Sequence, residues 1–220
     1  YFSSIAVYAT SKGAWIDESA DLNEDLRLLA RFNASWSNSS LGEFYDADYM
    51  EAVTAFAYRP VDNDRLNMLF KYTYFADLPT AAQISSGGSL ADYAQRSHVL
   101  AIDGGYDVLP YLTIGGKYAF RLGQLRDNRV GGKWFGSMAQ LGVARADLHL
   151  VREWDFVLEG RVLDLKEAGD RKYGVLAAVY RHINDNMKIG AGYNFADFSD
   201  DLTDLDYTHQ GWMLNIIGKF

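Results

Sequence analysis

Alternation of apolar and polar residues at period two along most of the chain, aromatic residues gathered where those runs end, and connections that switch between short and long predict an all-β fold. The specific expectation is a transmembrane up-and-down antiparallel β-barrel of about twelve strands, with an oily face toward hydrocarbon and a mixed face turned inward. Composition narrows the alternatives. With 49% apolar and 15% aromatic residues among 220, there is ample material for a core or a lipid-facing belt, and disorder is excluded. No apolar run approaches the roughly 18 residues that a membrane helix requires. The net charge of −8 argues against nucleic acid as a partner, because neutralising phosphates takes a surplus of Lys and Arg. Zero Cys removes a disulfide scaffold and a thiolate metal site.

Taken in order, Phe2 to Ala9 and Ala14 to Ala20 alternate only roughly. From Asp25 the pattern sharpens: Leu26, Leu28, Ala30, Phe32, Ala34 and Trp36 share a face opposed by Arg27, Arg31, Asn33 and Ser35. Met50, Ala52, Thr54, Phe56 and Tyr58 oppose Glu51 and Arg59, and Leu66, Met68, Phe70, Tyr72 and Tyr74 oppose Asn67, Lys71 and Thr73. Leu100, Ile102 and Tyr106 oppose Asp103; Leu112, Ile114, Tyr118 and Phe120 oppose Thr113, Lys117 and Arg121. Gln140 to Leu150 is ambiguous. Placing Arg145, Asp147 and His149 inward brings Leu141 and Val143 inward too, which suggests a bulge. Trp154, Phe156, Leu158 and Val162 oppose Asp155, Glu159 and Arg161, and Leu176, Ala178 and Tyr180 oppose Arg181. Met187, Ile189, Ala191, Tyr193 and Phe195 oppose Lys188 and Asn194. An internal repeat supports the weak start, since Ile102-Asp103, Asp107-Val108, Leu112 and Ile114 recur at the same spacing as Ile16-Asp17, Asp21-Leu22, Leu26 and Leu28.

Connections near Pro60 to Asp64, Asp107 to Pro110, Val151 to Glu153 and Ile183 to Asn186 are short. Those across Ser37 to Ala47, Asp77 to Asp92, Gly123 to Gly136 and Ser199 to Thr208 are long. Short turns at one end and long loops at the other are the habit of a membrane barrel. Tyr58, Tyr106, Trp154 and Tyr180 would form an aromatic girdle at the short-turn end, with Trp36, Tyr74, Phe120, Phe195 and Trp212 at the other. A soluble sandwich also alternates, but gives no reason for two aromatic bands.

The last run, Gly211 to Phe220, places Trp212, Leu214, Ile216, Gly218 and Phe220 on one face. It resembles the closing strand of bacterial outer-membrane β-barrels, in which alternating apolar residues ending in Phe form the signal read by the barrel-assembly machinery. That resemblance implies a bacterial (Gram-negative) outer-membrane location, short turns in the periplasm and long loops outside. It also implies contact with outer-membrane lipid and lipopolysaccharide, and with the assembly machinery and periplasmic chaperones during biogenesis. One barrel domain over residues 1–220 is expected. Lacking a signal peptide, the chain reads as mature or truncated, or as the C-terminal piece of something longer.

No catalytic constellation emerges. His98, His149, His182 and His209 have no metal-ligand spacing, so no metal and no cofactor are expected. Neither the Ser/His/Asn site of barrel phospholipases nor the Asp/His rim of barrel proteases is recognisable, so the chain reads as a non-enzyme. Asp197, Asp200, Asp201, Asp204 and Asp206 crowd the last long loop. They offer oxygen ligands to calcium or to divalent ions shared with lipopolysaccharide, but without the spacing or glycine of a known calcium loop they read first as a solvated acidic stretch. The inward face carries the informative charges: Arg27, Arg31, Glu51, Arg59, Lys71, Asp103, Lys117, Arg121, Arg145, Asp155, Glu159, Arg161, Arg181 and Lys188. Such a lumen is either braced by ion pairs and closed, or a narrow pore favouring anions. Two functions follow. One is a membrane anchor or translocator-type domain, similar to the C-terminal barrels of large surface proteins. The other is a porin-like passive channel for small, anionic solutes.

Overall fold

The computed structural model describes residues 9–39, 47–78, 94–126, 132–151, 153–184, 186–196, 198, 202 and 210–218. Among these, eleven antiparallel strands follow one another in chain order in a single sheet, and no helix occurs. They are β1 (Ala9–Asp21), β2 (Leu26–Ser39), β3 (Ala47–Tyr58), β4 (Leu66–Leu78), β5 (Ala94–Leu109) and β6 (Leu112–Arg126). The sheet continues with β7 (Trp134–Val151), β8 (Trp154–Leu165), β9 (Asp170–Asn184), β10 (Met187–Asn194) and β11 (Gly211–Gly218). The count is eleven rather than about twelve; Phe2 to Tyr8, part of the first weak run, lie outside the described residues.

Among the described turns, local hydrogen bonds close the first hairpin. After β1, the Leu22 and Asn23 amides both donate to the Leu26 carbonyl, at 2.8 and 3.3 Å. The Asp25 carboxylate then accepts the Val61 amide at 2.6 Å, tying this turn to the neighbouring Pro60 turn. Prolines stand at 60 and 110, in turns where a missing N–H costs no ladder bond. At the opposite end the connections are longer, except for the tight turn Lys166–Gly169, where Glu167 accepts the Met138 amide at 2.5 Å.

Both faces of the sheet carry apolar residues, but only one of them is buried. Val99, Ala119, Ala139, Leu141 and Leu163 on the concave side are buried, whereas Leu100, Ile114 and Leu214 on the other side are 57%, 50% and 85% exposed. Successive residues on a strand face opposite ways, so a single phase explains both sets. The buried set is completed from outside the strands. Ala196, Phe198 and Leu202, which follow β10, pack on Val99, Ala119, Leu141 and Leu163. Gly174 on β9 permits this approach, because a Cβ there would stand 2.3 Å from that of Ala196.

Two sequence readings are corrected. No bulge interrupts the middle of β7: its register with β8 runs unbroken from Ala139↔Leu165 to Leu148↔Phe156, and the irregularity falls beside the turn, between Leu148 and Val151. Leu141 and Val143 simply face inward, where Phe198 and Leu202 supply them with apolar neighbours. On β9 the expected phase is reversed. Tyr173 and Val175 are the exposed apolar residues, while Leu176, Ala178 and Tyr180 lie on the concave face.

Candidate functional site

The concave face has two tiers. Toward the long connections it is apolar, built from β5 to β8 and sealed by Phe198 and Leu202. Arg121, fully buried, borders this tier and donates through Nη2 to Gln95 at 3.1 Å. Toward the short turns it is ionic. The Glu159 carboxylate, with 4% of its side chain exposed, accepts from Nε of Arg145 at 3.1 Å and from Nε of Arg161. The β7–β8 register sets Arg145 directly opposite Glu159, so strand pairing itself assembles the triad.

Asp155 organises a second cluster. Its Oδ1 lies 2.8 Å from Nδ1 of His149, its Oδ2 lies 2.8 Å from Nε2 of His182, and Lys188 donates to Oδ2 at 3.2 Å. The histidines come from β7 and β9, on either side of β8, and Lys188 stands opposite His182 in the β9–β10 register. Beside the Glu159 cluster, Asp103, Lys117, Arg145, Asp147 and Glu159 line a recess of about 210 Å³. Gly105 and Gly115, on the same strand faces as Asp103 and Lys117, leave the space open.

The wall of β1 to β4 is wetter. Arg31 pairs with Asp17 at 3.0 Å and Arg27 with Asp21 at 2.6 Å, all four more than half exposed. Such solvated pairs are screened by water and add little to stability. Glu51 accepts from Asn33 and from the Tyr49 hydroxyl, both at 3.2 Å. Lys71 occupies the same face, half-buried on β4. Arg59 lies just beyond β3, exposed in the turn, where its amide donates to the Asp25 carbonyl at 2.8 Å.

Arg181 does not belong to this wall. It stands in register with Trp154, whose ring faces outward, and its guanidinium lies 5.7 Å from that ring's centroid. Tyr180 is the converse correction: it leaves the girdle for the interior, with its ring against Gly190 and the Lys188 ammonium 5.1 Å away. The outward phase holds Tyr58, Tyr106 and Trp154 near the short turns, and Trp36, Tyr74, Phe195 and Trp212 near the other end. On β11, Trp212, Leu214 and Ile216 share this outward side; Phe220 lies outside the described residues.

His209 and the acidic residues Asp197, Asp200, Asp201, Asp204 and Asp206 also lie outside the described residues. Sequence reasoning passed over Phe198 and Leu202, although two apolar residues a few positions apart in an acidic loop are a signal for an inward contact. It also left His149 and His182 unassigned, because nothing in their spacing reveals a shared carboxylate.

Neither a known protein family nor a curated protein sequence matches this chain. Solved structures do. The NanC porin superposes over 97% of this chain and 97% of its own, with a TM-score of 0.53 at 9% identity. The siderophore receptor PirA from Pseudomonas aeruginosa matches 84% of this chain with a TM-score of 0.59 at 7% identity, but only 34% of the receptor is covered. The translocator domain of the autotransporter NalP from Neisseria meningitidis covers 96% of this chain and 80% of its own at 12% identity. Its TM-score of 0.43 is too loose to carry an argument. The first two matches show the fold: the up-and-down β-barrel of outer-membrane proteins.

Proposed function

We propose that this chain is an integral β-barrel of the bacterial outer membrane that serves as the membrane anchor, the translocator-type domain, of a cell-surface protein. It works without catalysis or a cofactor. The observation that carries this reading is the filled interior along β5 to β10. Phe198 and Leu202 occupy the apolar tier, and the Glu159 and Asp155 clusters occupy the ionic one. A wall whose buried carboxylates, Glu159 and Asp155, are both paired with basic groups, beneath an apolar tier that is filled, suits a body that holds position in the bilayer.

Recording from planar bilayers tests the proposal. The unmodified protein is expected to give no discrete conductance steps, whereas replacing Phe198 and Leu202 by Ser opens measurable steps in protein that still folds. Steps from the unmodified protein would overturn the anchor in favour of the second reading, a passive channel for small solutes. One observation favours that reading: Arg27, Arg31 and their acidic partners on β1 and β2 are well hydrated. A channel along that wall would show anion preference in its reversal potential.

The outward Trp212, Leu214 and Ile216, continued to Phe220, also support the assembly-signal reading of β11. On it, periplasmic chaperones and the barrel-assembly machinery are partners in biogenesis. Deleting Phe220 is expected to lower the amount of heat-resistant folded protein in the outer membrane severalfold, while in vitro refolding into detergent is unchanged. Equal losses in both assays would make the residue a stability determinant and not a signal.

A further inference from the structure

Strand register builds the recess beside Glu159. Gly105 of β5, Gly115 of β6, Arg145 of β7 and Glu159 of β8 stand in one row across the inner face. With no side chain at 105 or 115, the middle of that row is bare backbone, framed by side chains from the rows above and below. Toward the long connections the frame is Asp103 and Lys117, directly opposite each other in the β5–β6 pair. Toward the short turns it is Thr113 and Asp147, opposite each other in the β6–β7 pair. The space enclosed, about 210 Å³, holds several waters or one small organic molecule.

The charges around it balance. Glu159 is matched by Arg161, which leaves Asp103 and Asp147 against Lys117 and Arg145 on the recess wall. Arg145 reaches Glu159 through Nε, and the two terminal nitrogens of its guanidinium make no hydrogen bond among the described residues. Asp147 is half-buried, yet its carboxylate accepts no hydrogen bond and forms no ion pair among the described residues, and the strand segments beside it on β6, β7 and β8 are all described. A carboxylate placed there has given up water without gaining a donor.

Such a recess has little net attraction for a simple anion or a simple cation, because each meets repulsion from one pair of charges and attraction from the other. A molecule that carries both signs meets attraction at each end. Arg145 and Asp147 stand two residues apart on one face of β7, ~6.6 Å along the strand. An ammonium and a carboxylate on one carbon bridge that span with a hydrogen bond at each end. Solvent reaches the recess from the short-turn side, where the Arg145, His149 and His182 side chains are 50%, 44% and 42% exposed. Toward the long connections, Phe198 and Leu202 fill the interior. A ligand therefore enters and leaves by the same mouth.

We infer that this recess binds an α-amino acid, with its carboxylate on the terminal nitrogens of Arg145, its ammonium on Asp147, and its side chain over Gly115 toward Asp103 and Lys117. Binding in a recess with one mouth is occupancy without transport, so it goes beyond the anchor reading without depending on it. Conductance steps in the bilayer recordings would sink that reading and leave this site standing.

Isothermal titration calorimetry of the detergent-folded full chain tests the site with three probes: L-glutamine, N-acetyl-L-glutamine, which lacks the ammonium, and L-glutamine α-amide, which lacks the carboxylate. Glutamine is expected to bind about tenfold more tightly than either derivative, since one charge-assisted hydrogen bond is worth about that factor. Asp147→Asn should weaken glutamine binding about tenfold and leave the weak binding of N-acetyl-glutamine unchanged, which marks a contact to the ammonium. Gly115→Leu should abolish binding by filling the recess. A Cβ at 115 stands 3.4 Å from the Gly104 carbonyl oxygen and 3.9 Å from the Arg145 Cβ, ordinary contacts that the wall accommodates. Heat-modified gel mobility checks the folding of both variants, and Asp147→Asn decides the matter if Gly115→Leu does not fold. No glutamine binding by the unmodified chain, equal affinity for glutamine and its N-acetyl derivative, or equal glutamine affinity in Asp147→Asn and the unmodified chain would each overturn the inference.

Discussion

Glu159 sits inside the wall with two guanidinium groups on one carboxylate, and the balance is asymmetric. Arg161 is almost as buried as its partner, whereas half of the Arg145 side chain meets water. Removing the negative charge strands Arg161 in a poorly solvated place, while Arg145 can turn to solvent. Glu159→Gln is therefore expected to cost about 2–4 kcal/mol, the range for breaking a buried pair discounted for the exposed arginine. The urea midpoint of the folded form in micelles measures this, and a shift no larger than that of the exposed Asp17→Asn would refute it. Glu159 and Arg161 were legible because period two assigns both to one face of β8, whereas the stretch that carries Arg145 read as ambiguous. The partners of Asp155 were not legible. His149 and His182 are brought to it by the register of three strands, information that no single strand's pattern contains.

β9 shows at the level of an element where alternation stops being decisive. Its outward side carries Tyr173, Val175, Ala177 and Val179, and its inward side Leu176, Ala178 and Tyr180, so both faces are apolar. A half-buried strand reveals its phase only when one face is polar. Here the inward face is greasy because it receives the segment after β10 at Gly174 and the bare backbone of Gly190 and Gly192 on β10. The same crowding makes a prediction. A side chain at 174 would collide with Ala196 and approach the Phe198 ring. Gly174→Leu is thus expected to expel Ala196, Phe198 and Leu202 from the interior while the ladder of β8, β9 and β10 persists. The loss should be about 1–3 kcal/mol, the usual range for overpacking. Limited proteolysis checks it. Cleavage between Phe195 and Gln210 should accelerate in the variant with no new cuts within strands, and an unchanged rate would mean that the segment is not held by this contact.

For the molecule as a whole, the governing feature is which side of the sheet meets a nonpolar solvent. The fold class, the pairing of consecutive strands and the outward phase of most of them were legible in the sequence, because lipid imposes the same demand on every strand that crosses it. What the interior contains was less legible, since a lumen accepts apolar filling at one height and ion pairs at another. A depth-matched pair of substitutions tests the solvent assignment directly. Leu158 in β8 and Ile183 near the end of β9 are equally exposed, at 55% and 54%, and both face outward. Leu158 lies four residues above the girdle residue Trp154, about 10 Å into the band for a tilted strand, whereas Ile183 lies beside the short turn. Water would treat the two alike. Hydrocarbon does not: Leu158→Arg is expected to lose about 2–4 kcal/mol and Ile183→Arg about 0–1. Equilibrium urea titration of folding into lipid vesicles reads both values. Equal and small losses would place the face in water, and equal and large losses would place it against a second protein layer. Only the depth-dependent gap is what a bilayer produces.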